Sequence, residues 1–88
     1  MASYLITYDL RKNRDYTSLY SAIKSYGTWA KITESSWVIV TEQNAVQVRD
    51  FLSNSLDEDD RLFVMKYGGA AAWKNAIAKN DWFHKYLN

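Results

Sequence analysis

The chain has 88 residues, no cysteine and one histidine, which excludes disulfide staples, Cys-ligated zinc and a histidine metal cluster and leaves carboxylates as the donors for a hard ion. Eleven Lys and Arg against ten Asp and Glu give a net charge of +1, without the broad basic excess of a dedicated non-specific nucleic-acid binder. A single domain of this size buries a modest fraction of its unfolded surface, so a partner surface would add to its stability.

The first residues run straight into strand-like sequence and soon meet Asp9, Arg11 and Lys12, so no signal-peptide pattern opens the chain, and no apolar run approaches transmembrane length. The expectation is a soluble cytoplasmic protein without a membrane partner. Tyr4-Leu5-Ile6-Thr7-Tyr8 is aromatic and β-branched without helical period, which predicts a strand ending at Asp9 and a polar loop through Arg14. After Asp15, a candidate N-cap, the positions Tyr16, Leu19, Tyr20 and Ile23 fall at helical spacing, and Gly27 stands just past the last turn.

Residues 28–33 and 36–42 are extended segments whose Glu34-Ser35 connection is too short for a crossover, which predicts an antiparallel hairpin. Asn44 is a good N-cap for a second helix with the stripe Ala45, Val48, Phe51, Leu52 and Leu56. An acidic loop, 57–60, leads into a last strand over 61–67 that Gly68-Gly69 closes. The order strand, helix, strand, strand, helix, strand predicts an α+β class, ferredoxin-like βαββαβ fold over residues 1–67. Its four-stranded antiparallel sheet has strands one and three in the centre and two helices on one face.

A sheet with one wet face alternates apolar and polar residues, and these strands do not. Trp37 and Ile39 oppose Val38 and Val40, Leu62 and Val64 oppose Phe63, Met65 and Tyr67, and Tyr4, Ile6 and Tyr8 oppose Leu5 and Thr7. Two short helices cover one face, so the other is expected to meet a second copy of the chain as a homodimer. The tail, 68–88, carries helix-favouring residues over 70–79 and bulky groups at helical spacing over 81–87. It packs either on its own domain or on the partner protomer, and a short two-piece tail strengthens a dimer rather than replacing it.

Asp9, at the carboxyl end of a central strand, is a candidate catalytic and metal-binding carboxylate for Mg²⁺ or Mn²⁺, and Arg11, Lys12 and Arg14 beside it are candidate phosphate contacts. A two-fold axis near that strand would bring two copies of Asp9 together. The competing readings are a turn-capping or Arg-paired Asp and a solvated charge run. The acidic loop lacks EF-hand spacing, and Gly68-Gly69 lacks the Lys-Ser/Thr of a P-loop. Trp29, Trp37 and the sheet tyrosines have the chemistry to stack on bases, but core packing also claims them. His84 has no Ser, Cys or Asp partner at motif spacing and reads as a tail-packing residue.

The run Tyr4-Leu5-Ile6-Thr7-Tyr8-Asp9-Leu10, the short helix after it, a hairpin containing Ser35-Ser36-Trp37 and the strand Asp60-Arg61-Leu62-Phe63-Val64 together resemble the small CRISPR-associated Cas-two superfamily. The resemblance is nearer to its stand-alone, SinR-like bacterial and phage branch, and runs over roughly residues 3–67. It implies a ferredoxin-like homodimer joined through sheet faces, with a Mg-dependent nuclease site at Asp9. It also implies alternatives, because some members are DNA-binding scaffolds in which that Asp is dispensable and others are ribonuclease toxins. The helical tail departs from the adaptation proteins, which often exchange a strand there, so the same integrase partner does not carry over. Three functions stay open: a nuclease acting on RNA or DNA, a nucleic-acid-binding scaffold, and a protein-interaction module using Trp73, Trp82 and Phe83.

Overall fold

In the computed structural model, which describes residues 1–11 and 15–87, strand β1 (Ala2–Asp9) buries Tyr4, Ile6 and Tyr8 on one face. Helix α1 (Thr17–Lys24) lays Leu19 and Ile23 onto that face. The carboxylate of Asp15 accepts the Thr17 backbone N–H at 3.0 Å, the bond an N-cap makes, although the helix itself is bounded at Tyr16. The Thr17 side-chain hydroxyl, and after it this backbone N–H, hold the Asp15 carboxyl below its ordinary value. Gly27, at φ +86°, turns the chain in the left-handed region that suits glycine.

Strands β2 (Trp29–Thr33) and β3 (Ser36–Thr41) form the hairpin around Glu34-Ser35, with an irregularity between Lys31 and Thr33. Helix α2 (Ala45–Ser53) opens with a reciprocal capping box: the Gln47 N–H donates to Asn44 Oδ1 at 2.8 Å and the Asn44 N–H to Gln47 Oε1 at 2.9 Å. Replacing Asn44 by Ala is expected to lower stability by about 1 kcal/mol. A denaturation midpoint unchanged in Asn44→Ala would show that the box contributes nothing to the folded state.

Val48 and Leu52 form the buried stripe of α2. Two residues of the expected stripe behave differently. Leu56 lies beyond the helix, which ends at Ser53, and Phe51 is 41% exposed and meets Tyr26 edge-on at 5.5 Å. Strand β4 (Arg61–Lys66) completes an antiparallel sheet of order β2-β3-β1-β4, with β1 and β3 central. The chain is therefore α+β, a four-stranded antiparallel sheet with three helices, compatible with a ferredoxin-like fold.

The double-sided apolar strands are explained by two separate cores. Under α1 and α2, Tyr4, Ile6, Tyr8, Trp37 and Ile39 meet Leu19, Ile23, Val48 and Leu52. On the opposite face, Ala30 and Val38 meet Phe83 and Leu87 of the chain's own tail, with Trp73, Trp82 and Tyr67 around them. That second core is built on helix α3 (Asn80–Tyr86). Ser3 Oγ donates to the Tyr86 carbonyl at 3.2 Å, tying the end of α3 to β1.

The helix expected over residues 70–79 does not form. The stretch is irregular, Asn75 takes a left-handed φ of 54°, and the N–H groups of Ile77 and Ala78 donate to the Ile32 and Lys31 carbonyls of β2 at 2.9 and 3.0 Å. Alanine propensity is a weak preference and a short helix is marginal alone, so an external set of hydrogen-bond acceptors decides the conformation. Between this stretch and the sheet lies an apolar groove of about 270 Å³, lined in part by Leu5, Met65, Ala71 and Trp73. The tail leaves the β4 side of that face open, where Phe63 and Met65 are 57% and 49% exposed.

Candidate functional site

Antiparallel pairing of β1 with β4 sets Asp9, the last residue of one, opposite Arg61, the first of the other. Arg61 Nη1 donates to Asp9 Oδ2 at 3.5 Å, and Arg11 Nη1 stands 3.9 Å from the same oxygen. All three side chains are about half exposed or more. Long, solvated pairs of this kind contribute little to stability, so the two guanidinium forks are free to rearrange around a better acceptor.

Asp60 fixes the geometry from behind. Its Oδ1 accepts the Arg11 backbone N–H and its Oδ2 the Asp57 backbone N–H, each at 2.8 Å. One carboxylate thereby locks the chain after β1 to the loop before β4, and the acidic loop acts partly as a brace. Of the residues singled out in sequence, Asp9 and Arg11 come together here. Lys12 and Arg14 lie outside the described residues. Lys24 and Lys31 belong to α1 and to β2, the strand at the opposite edge of the sheet from β4, and Lys66 is at the far end of β4 from Arg61.

Arg61 and Asp60 are the participants that sequence reasoning missed. A signal for Arg61 existed, because pairing β1 antiparallel to β4 puts the last residue of β1 near the first residue of β4. No comparable signal pointed to Asp60, whose role depends on the path of a loop.

Mg²⁺ favours octahedral oxygen donors, taking one or two carboxylates besides water and phosphate. A single chain offers Asp9 with two guanidiniums against it, and among the described residues no group of three or more His, Cys, Asp or Glu side chains could hold a metal. The donors of one chain do not fit the ion.

A second polar assembly lies beneath α1. Trp37 Nε1 donates to the Tyr8 hydroxyl at 3.0 Å, and that hydroxyl donates to the Glu34 carbonyl at 3.4 Å. Burial and the neighbouring Tyr20 hydroxyl hold Tyr8 well above the usual phenol range. Partial burial pushes Tyr20 up as well, but the Lys31 ammonium, donating to its hydroxyl at 3.0 Å, and the Tyr8 hydroxyl outweigh that and bring it down.

No family model and no curated protein matches the chain. Among the described residues, no helix is long and apolar enough to cross a membrane.

Proposed function

We propose that this protein is a ferredoxin-like βαββαβ homodimer of the Cas-two-like type that binds RNA or DNA by its phosphates at the carboxyl end of β1. The supporting observation is the pair of half-exposed guanidiniums, Arg11 and Arg61, loosely held around Asp9 by a braced backbone. A phosphate offers such forks a bidentate acceptor that the distant Asp9 oxygen does not. Lys12 and Arg14 add charge to the same loop in sequence. Phe63 and Met65, left open beside the tail, provide the apolar surface for a second copy.

A second reading is a Mg- or Mn-dependent nuclease, favoured by the position and exposure of Asp9 at the end of a central strand. It requires a further carboxylate, which a second copy's Asp9 would supply.

One experiment separates the two. Labelled RNA and DNA are titrated with wild type, Arg11→Ala/Arg61→Ala and Asp9→Asn, with and without Mg²⁺ or Mn²⁺ and over a range of salt. The double arginine variant is expected to bind about tenfold more weakly and with a shallower salt dependence, while Asp9→Asn binds at least as well as wild type. Unchanged affinity in the double variant overturns the binding site. Metal-dependent cleavage that disappears in Asp9→Asn establishes the nuclease.

A further inference from the structure

Along α1, Tyr16, Tyr20 and Lys24 recur every fourth residue and so share one face of the helix. Beside them, Trp29 and Lys31 alternate on one face of β2. The rings form a continuous series: Tyr16 to Tyr20 at 5.5 Å, Tyr20 to Trp37 at 5.1 Å and Trp37 to Trp29 at 5.4 Å between centroids. Trp37 is buried and anchors the series, whereas Tyr16, Tyr20 and Trp29 are only partly buried.

The two charges set over rings of this series are both positive. Lys24 Nζ lies 5.1 Å from the Trp29 ring centroid, and Lys31 Nζ lies 4.7 Å from that of Tyr20. Among the described residues neither ammonium has a carboxylate partner, in contrast to Arg11, Arg49 and Arg61. Among the described residues, the Glu34 carboxylate is an acid whose charge is felt at Tyr20. Two unneutralised cations remain at half-buried aromatic rings, in a strip that eight residues of helix make about 12 Å long.

We infer that this α1–β2 strip binds single-stranded nucleic acid, with bases against Tyr16, Tyr20 and Trp29 and phosphates at Lys24 and Lys31. The inference rests on the nucleic-acid reading above and names its substrate form. Stacking suits unpaired bases, because every base has a π-face but a duplex hides it. A fully paired duplex would have only the two lysines to meet, and the cores of protein interfaces are depleted in the lysines that line this strip.

The test uses a fluorescein-labelled oligothymidylate 15-mer and a duplex of the same length, followed by anisotropy at fixed salt. Wild type is expected to favour the single strand. Lys24→Gln/Lys31→Gln and Trp29→Ala should each weaken its binding about tenfold, with Trp29→Phe restoring most of the loss. Circular dichroism of each variant checks that the fold is kept, and the lysine variant, which removes only ammonium groups, carries the test if Trp29→Ala unfolds. Undiminished single-strand binding in the lysine variant, or tighter binding of the duplex by wild type, overturns the inference. If Arg11→Ala/Arg61→Ala alone abolishes binding, the strip falls and the β1 site stands; if wild type binds neither probe, both fall.

Discussion

Replacing Trp37 by alanine is expected to cost about 3–5 kcal/mol, the range for emptying a buried aromatic site. Trp37 is 2% exposed, packs between Tyr20 and Trp29, and donates to the buried Tyr8 hydroxyl. A domain of this length has roughly 4–13 kcal/mol in total, so Trp37→Ala is predicted to be largely unfolded or close to it at body temperature. Trp37→Phe separates volume from hydrogen bonding, since it keeps a ring but removes the donor to Tyr8, at about 1–3 kcal/mol. Equal losses in the two variants, measured by urea denaturation, would show that packing is not the main contribution.

The same hydroxyl gives the fold an alkaline limit. Tyr8 has its pKa raised above the ordinary value of 10.0, so the unfolded chain loses this proton first as pH rises. The contribution is complete below pH 10 and is lost as pH climbs from there towards the folded-state value. Urea midpoints falling above pH 10 in wild type and flattening in Tyr8→Phe would confirm the assignment.

Phe83→Ala is the second large effect, expected at about 3 kcal/mol or more because the side chain is 1% exposed at the centre of the smaller core. Its consequence is local. None of the buried residues of the first core belongs to the tail, so loss of Phe83 should release α3 while the sheet and α1 and α2 persist. Limited proteolysis is expected to cut Phe83→Ala near residues 68–79 much faster than wild type. Cutting elsewhere, within β1 or β3, would show instead that the two cores unfold as one.

The strands, the first two helices and the two-sided character of the sheet were legible because apolar periodicity is a local signal. Tyr4, Ile6 and Tyr8 opposite Leu5, or Trp37 and Ile39 opposite Val38, could be assigned to faces without knowing what covered them. What covered the second face was not legible. Phe83 and Leu87 signalled a buried helix, but neither carries information on which surface buries it. The 70–79 stretch misled because its alanines report intrinsic preference, while its conformation follows the free carbonyls of Lys31 and Ile32. At the candidate site Asp9 and Arg11 were visible as residues next to a strand end. The Asp60 brace was invisible, since hydrogen bonds between a side chain and the backbone of a distant loop leave no periodic trace.

The bonds from Ile77 and Ala78 to β2 have a further effect on how copies of the chain can meet. They occupy carbonyls of one border strand of the sheet, leaving β4 as the border where another backbone could be added. A ribbon that can grow from both margins propagates into fibres, whereas one with a single open margin is used up when two molecules join. Association by strand addition, where it occurs, would then fall to β4 and use up that margin, and residues 67–79, which look like a mere connector, shield part of the opposite one.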